Sequence, residues 1–286
     1  MTDLEPARRR YAEEIRRNAS ISNEQIIEAF ASVPREKFLG PGPWWLGTTS
    51  PDADARHQRT PDDSPEHLYQ DVLVAIDAAR ELNNGLPSWL ARAMDHARIG
   101  SGDSVAHIGS GVGYYSAILA HIVGPTGSVL AIEVDEGLAA RARRNLSDWP
   151  WVTVVHADGS SHDLGPRDVI FVNAGATHVQ MHWVNSLRAG GRLVVPLTYA
   201  PEAAGQLLRI ERTAGGYAAE LVLETYVYPC IGSRDDAHAR LLREAVERHG
   251  WELSGSLRLD PEHADGTCWL RTAEYWLSTT PPAAAP

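Results

Sequence analysis

Three glycines, Gly109, Gly111 and Gly113, close a short turn directly after the apolar run at 105–108 and directly before a helix-favouring segment. Glycines in such a turn let the backbone approach a ligand closely and adopt positive φ, and the ligand then lies near the start of the following helix, outside the carboxyl ends of the strands. About 20 residues further on, Glu133 ends the next apolar run, where an acidic side chain hydrogen-bonds ribose hydroxyls. Asp158-Gly159 follow a third run; Asp158 is placed either to accept from an adenine exocyclic amine or to cap the turn into Ser160. These residues suit a dinucleotide or S-adenosylmethionine. The spacing is GxGxG, whereas the dinucleotide fingerprint requires Gly or Ala at residue 114, which here is Tyr114, so a nicotinamide oxidoreductase is the poorer reading.

The elements needed to hold these residues can be read along the chain. Apolar runs at 105–108, 129–132, 152–155, 169–172 and 193–196 alternate with helical stretches at 114–123, 136–147 and 177–188. That rhythm predicts an α/β, Rossmann-like fold with a mostly parallel, doubly wound sheet covered on both faces. Before it, residues 4–18 favour helix, and Ser22-Asn23-Glu24-Gln25 reads as a capping box for a second helix carrying Ile26, Ile27 and Phe30, ended by Pro34. Residues 40–66 contain five prolines and the pair Trp44-Trp45, and read as a long loop, either a lid or an excursion packed on the core. After residue 205, strands at 206–211 and 221–227 pair around Gly215-Gly216, a helix covers 236–249, and 252–277 form a mixed tail. The divisions expected are 1–66 for N-terminal helices and the Pro-rich loop, 67–200 for the cofactor-binding core, 201–280 for a C-terminal β-containing extension, and 281–286 for a disordered tail.

Composition narrows the partners. The 286 residues carry 26 Lys and Arg against 37 Asp and Glu, a formal net charge of -11, which repels nucleic acid over most of the surface. Arg8–Arg10 and the group Arg141, Arg143, Arg144 read as solvated helix faces. Two distant cysteines, Cys230 and Cys268, form neither a disulfide framework nor a zinc pattern, and no metal site is expected. The N-terminus has no apolar signal-like region and no run reaches the ~18 apolar residues of a membrane helix, so a cytoplasmic protein without membrane contact is expected.

As a set, Val33-Pro34-Arg35-Glu36-Lys37-Phe38, Tyr69-x-Asp71, the glycine loop, Ala131-Ile132-Glu133-Val134-Asp135, Ala157-Asp158-Gly159 and Gly190-Gly191-Arg192-Leu193-Val194-Val195-Pro196-Leu197 resemble the protein-L-isoaspartate O-methyltransferases, over roughly residues 20–225. The resemblance implies a class I methyltransferase that uses S-adenosylmethionine on a peptide or protein side chain. It implies that Gly109, Gly111 and Gly113 cradle the amino-acid part of the cofactor, Glu133 the ribose and Asp158 the adenine end. Asn84, Gly85, Ser110, Tyr114, Val134, Gly159 and Asn173 are the further expected cofactor contacts.

The chain departs from that family before the glycine loop. The family has a Thr-x-Ser-Gln-Pro-like segment whose hydroxyl is the expected catalytic contact; here the residues are Asn83-Asn84-Gly85-Leu86-Pro87, so Gly85 occupies the serine position, and Ser88 lies three residues later. His107 stands where the family commonly has an acid and is read as a hydrogen-bonded residue under the cofactor. Methyl transfer from a sulfonium is an in-line displacement that demands alignment and exclusion of water. A carboxylate or a neutral imidazole needs no base; a hydroxyl or an ammonium does. Asn83, His178 and His182 are the candidate acceptor-side catalytic residues. A helix over 177–188 would put both histidines on one face, for metal, substrate or plain packing, although no Glu follows His178 as HExxH requires. Trp183 either walls the acceptor pocket or is core. The expectation is a carboxylate O-methyltransferase specialised for tailoring one peptide. The alternatives are N-methylation of a side chain such as histidine in a peptide natural product, and a protein that binds the cofactor without turnover.

Overall fold

The structure, a computed structural model, describes residues 3–47, 57–200 and 204–282. It opens with α1 (Glu5–Ala19) and α2 (Glu24–Ser32). In α1, Tyr11, Ala12, Ile15 and Ala19 recur at helical spacing and are buried, while Arg9, Arg10 and Glu13 face solvent. The cap of α2 sits one residue later than Ser22-Asn23-Glu24-Gln25 suggested: Asn23 accepts from the Gln25 N–H at 3.1 Å. A short α3 (Glu36–Leu39) follows.

The expected loop at 40–66 is partly ordered structure. β1 (Trp45–Gly47) and β2 (His57–Arg59) pair antiparallel, and with β3 (Leu73–Asp77) and β4 (Leu82–Asn83) form a small sheet in the order β2-β1-β3-β4. The tryptophan pair divides: Trp44 is buried and donates its indole N–H to Gly40 O, while Trp45 is exposed. Residues 48–56, the centre of the lid expectation, lie outside the described residues, as do 283–286 of the expected tail.

After α4 (Pro87–His96) come β5 (Ser104–Ile108), α5 (Tyr114–Val123), β6 (Ser128–Glu133), α6 (Glu136–Asn145), β7 (Val152–His156), β8 (Arg167–Val172), α7 (Met181–Asn185) and β9 (Leu187–Leu197). The extension supplies β10 (Gly205–Thr213), β11 (Gly216–Thr225), α8 (Asp236–His249), β12 (Ser254–Arg258), β13 (Cys268–Arg271) and β14 (Trp276–Ser278). One ten-stranded sheet results, ordered β13-β14-β12-β11-β10-β9-β8-β5-β6-β7. β7, β6, β5, β8 and β9 run parallel, as the strand–helix rhythm predicted, and the extension continues the sheet from β9 with antiparallel strands.

The two faces carry separate cores. α5 is buried all round except at His121, so it is wedged between the sheet and the helices α1, α2 and α4. The opposite face is closed by α7 and α8 around Trp183, Trp269 and Tyr275. Trp183 is therefore core, its indole donating to Gly159 O at 2.8 Å. The predicted helix over 177–188 shrinks to Met181–Asn185. Residues 175–179 instead bond to other elements: Ala176 bridges Leu197, Thr177 N–H donates to Ser233 O, and Val179 N–H donates to the Tyr275 hydroxyl. No helix among the described residues is long and apolar enough to cross a membrane.

Candidate active site

The carboxyl ends of the parallel neighbours β5, β6, β7 and β8 lie along one edge of the sheet, and the site there is built first from backbone. Gly109 N–H and Ser110 N–H both donate to Ile132 O, at 2.9 and 3.1 Å, folding the glycine turn over the end of β6. Gly109, Gly111 and Gly113 all have positive φ. Glu133, nearly buried, clamps the turn: its Oε2 accepts from Gly111 N–H at 2.6 Å and its Oε1 from Asp135 N–H at 3.0 Å. Asn145 on α6 donates to Val112 O at 2.9 Å, and Asn173 N–H to Ile108 O at 2.8 Å. Val134, just past Glu133, exposes its side chain.

Two buried polar atoms here have no hydrogen-bond partner among the described residues: Ser110 Oγ and Asn84 Nδ2. A buried donor without a partner is costly, about 1–3 kcal/mol, and such atoms beside an open turn fit a polar ligand that satisfies them. The donor set therefore fits the expected cofactor. Tyr114 does not join it through its side chain. That ring is fully buried against Phe38 and Tyr115, with its hydroxyl 3.4 Å from that of Tyr11, because the first residue of α5 points toward α1.

The acceptor segment lies beside this turn. Asn84 N–H donates to Val74 O, setting the segment against β3. Asn83 is committed: its Oδ1 accepts from Gly85 N–H at 2.8 Å and its Nδ2 donates to the Tyr228 hydroxyl at 2.6 Å. Gly85 has φ +73, and a Cβ there would lie 3.1 Å from Leu90 Cδ2 and 3.6 Å from Tyr115 Cε2. A side chain at this position would thus start into the α4–α5 packing. Ser88 is buried at the start of α4, where its N–H donates to Asp71 Oδ1.

Asp158, after β7, caps its own turn through the Ser160 N–H at 2.8 Å, as one reading anticipated, and its Oδ2 has no hydrogen-bond partner among the described residues. Against it runs the stretch after β11. The buried Cys230 thiol is pushed up to about 12, by burial first and then by the Asp158 charge.

The histidines part company. His178 lies outside α7 and so does not share a helix face with His182. Its Nδ1 is 3.1 Å from Thr177 Oγ1, its Nε2 is 3.1 Å from the Gln180 amide, and its ring stacks on His238 at 4.0 Å. Asp235 caps α8 and holds His238 Nδ1 at 2.6 Å. His178, Asp235 and His238 bring three donor atoms within 4.8 Å of one another, but the two rings lie only 19° from parallel, which does not aim both nitrogens at one ion. His182 lies toward Asp158 and Asp163, with its Nε2 buried and unpartnered among the described residues. Burial lowers both histidines from the ordinary imidazole value, favouring the neutral ring. His107 is fully buried between Ser116 Oγ, 2.8 Å from its Nδ1, and Phe171; desolvation drives it down to about 3.

Two residues that position the site were not evident as such. Tyr228 comes from the extension to meet Asn83. Arg35 is fully buried and donates to Leu68 O, Gln70 O and Val72 O, gathering the segment that leads into β3. A cation in Val33-Pro34-Arg35 gave no sign of burial, because only the folded chain brings three carbonyls to it.

Residues 53–235 match the family described as protein-L-isoaspartate(D-aspartate) O-methyltransferase. A protein-L-isoaspartate O-methyltransferase of Ignicoccus hospitalis is 30% identical over 215 residues, covering 74% of this chain and 90% of the relative. One of Methanothermobacter thermautotrophicus is 27% identical over 251 residues, covering 86% and 98%. Among solved structures, a protein-L-isoaspartate O-methyltransferase superposes with TM-score 0.63 at 24% identity, covering 84% of this chain and 69% of the other. A putative one from Plasmodium falciparum, in complex with S-adenosyl-L-homocysteine, gives TM-score 0.60 at 16% identity, covering 78% and 97%. At these identities the two structures speak for the fold.

Proposed function

Since this chain belongs to the protein-L-isoaspartate O-methyltransferase family and is an S-adenosylmethionine-dependent methyltransferase, we propose that it methylates the free carboxylate of an aspartyl or isoaspartyl residue in a dedicated peptide or protein partner. The observation that carries the dedicated partner is Gly85, a left-handed glycine at the family's serine position, with its Cβ direction occupied by Leu90 and Tyr115. By the resemblance the serine hydroxyl of the acceptor segment is missing here, and Asn83, two residues earlier, is bonded to the Tyr228 hydroxyl.

The cofactor supplies a methyl carbon on a sulfonium, open to in-line attack. The protein's part is placement. Gly109, Gly111 and Gly113 with Ser110 receive the amino-acid end, Glu133 the ribose, and Asp158 the adenine amine. Asn84, whose buried Nδ2 lacks a partner among the described residues, is a donor for the cofactor or the acceptor. The acceptor carboxylate is ionised at neutral pH, attacks with an oxygen lone pair and needs no proton removed. Catalysis then rests on orientation and on excluding water. His178 and His182 are not needed as bases on this reading; they remain available to orient a peptide.

The test is mass spectrometry of methyl transfer to matched peptides containing Asp, isoAsp or His. A one-methyl gain on Asp or isoAsp, lost in mild base, supports the ester. A base-stable gain on the His peptide would transfer the proposal to a nitrogen acceptor, and no gain on isolated isoAsp peptides together with gain on one partner sequence would support dedication.

A further inference from the structure

The acceptor segment has little regular structure of its own. β4 ends at Asn83, α4 begins at Pro87, and Gly85 between them is at φ +73. Such backbone keeps one conformation only where its surroundings over-determine it. Two tyrosines from different elements tie it. Tyr228 lies on the stretch at 226–234 after β11, which is itself pinned: Gly175 N–H donates to Tyr228 O at 2.7 Å, Cys230 N–H to Gly175 O at 2.9 Å, and Thr177 N–H to Ser233 O at 3.0 Å. The Tyr228 hydroxyl accepts from Asn83 Nδ2 and donates to Glu81 O, both at 2.6 Å.

The second tie comes from α5. Tyr115 is the second residue of that helix, two residues after Gly113, and its hydroxyl donates to Gly85 O at 3.1 Å. Consecutive helical residues diverge by about 100°. Tyr114 accordingly reaches Tyr11 on α1, while Tyr115 reaches the acceptor segment. The Tyr115 ring is buried, with Phe30 and Tyr114 edge-on to it at 6.4 and 5.0 Å between centroids. Burial holds its phenol well above the ordinary range, so the hydroxyl stays a donor. Gly85 is thereby held at both of its polar groups, its N–H by Asn83 Oδ1 at 2.8 Å and its O by Tyr115. Asn84, with its unpartnered buried Nδ2, is flanked by the two tied residues.

We propose that Tyr115 is a positioning residue for methyl transfer, its hydroxyl fixing Gly85, and through it Asn84, against the helix that begins at the glycine turn. The cofactor turn and the acceptor segment then share one rigid element, α5. In-line displacement loses rate steeply when the partners are misplaced, and a site braced by a packed helix is held more closely than one left to a loop. Tyr115 acts through Gly85 and Asn84, and the assignment rests on the acceptor reading above only for the peptide that reports it.

Tyr115→Phe removes the hydroxyl and keeps the ring. Tyr11→Phe removes another fully buried hydroxyl from the same aromatic cluster and serves as the control. Both are compared with the unsubstituted full chain by S-adenosylhomocysteine calorimetry, by methyl transfer to whichever of the Asp, isoAsp and His peptides is methylated best, and by amide hydrogen exchange over residues 82–86. Tyr115→Phe should lower kcat about tenfold, with peptide KM and S-adenosylhomocysteine affinity within about twofold, the pattern of lost alignment rather than lost binding. Exchange over 82–86 should quicken about tenfold as Gly85 is freed. Tyr11→Phe should change neither kcat nor that exchange. Unchanged kcat in Tyr115→Phe, even with a lowered Tm, would overturn the assignment, and so would an equal loss of kcat in both variants, as general loosening of the aromatic cluster. If none of the peptides is methylated, the acceptor reading fails and exchange decides alone: quickening confined to Tyr115→Phe sustains the tie, and unchanged exchange overturns it.

Discussion

Glu133 has two tasks that a single substitution separates. Its carboxylate already accepts from Gly111 and Asp135 N–H, so it shapes the glycine turn before any ligand arrives. Glu133→Ala should weaken S-adenosylhomocysteine binding by about 1–3 kcal/mol in calorimetry, the cost of charged hydrogen bonds. Unchanged affinity would remove Glu133 from the ribose. Gly85 gives the opposite kind of prediction. Gly85→Ser supplies the family hydroxyl on a backbone at φ +73 and against Leu90, so it should lower stability by about 1–3 kcal/mol and give no gain in isoaspartyl methylation. A clear gain in a peptide methylation assay would mean that the segment relaxes and that the family's hydroxyl contact can be restored at this position. At this scale much was visible in the sequence, because a strand–turn–helix fixes where Gly109, Glu133 and Asp158 must lie. The side chain of Tyr114 was not, since its direction depends on the phase of α5 against α1.

Elements decide what the histidines can do. The spacing of His178 and His182 suggested one helix face, but residues 175–179 find partners in Leu197, Ser233 and Tyr275, and these tertiary bonds outcompete helix for that backbone. No local pattern in the sequence encodes partners that far away. The same holds for the stretch after β11, which is irregular by itself and acquires shape from Gly175 and Thr177. Tyr228→Phe removes the hydroxyl bonded to Glu81 and Asn83. Peptide KM should rise about fivefold, near one hydrogen bond in free energy, while S-adenosylhomocysteine affinity stays within about twofold because the other anchors persist. A change in cofactor affinity with KM constant would place Tyr228 on the wrong side of the crevice. Between β5 and α5, His107 links stability to pH. Its folded pKa of about 3 lies below the unfolded value near 6.5, so the unfolded chain takes the proton first. Its contribution is full above pH ~6.5 and is lost as pH falls toward 3. Between pH 6.5 and 5 this one group should cost about 2 kcal/mol in denaturant unfolding, and His107→Gln should flatten that slope. Equal slopes would show that His107 charges without penalty.

For the whole molecule, one sheet carries both the cofactor crevice and the extension. The parallel half was foreseeable from alternating apolar runs and helices. The extension was foreseeable as strands and the helix at 236–249 but not in its pairing order, which among β11, β12, β14 and β13 is set by which edges meet rather than by any local periodicity. A property that needs no fold at all is the charge of -11. An acidic molecule gathers cations and turns away anions over distances set by the Debye length, about 30 Å at 0.01 M salt and about 3 Å at 1 M. A carboxylate acceptor is itself repelled, so the residues flanking it must carry the attraction. Two peptides with the same acceptor residue, one flanked by Lys and Arg and one by Glu, should therefore differ in kcat/KM by about tenfold or more at low salt, the basic peptide being favoured. The ratio should fall toward one as salt approaches ~1 M, since screening removes steering and leaves contacts intact. A ratio that persists at high salt would instead mean that the flanking charges are read by direct contact within the acceptor pocket.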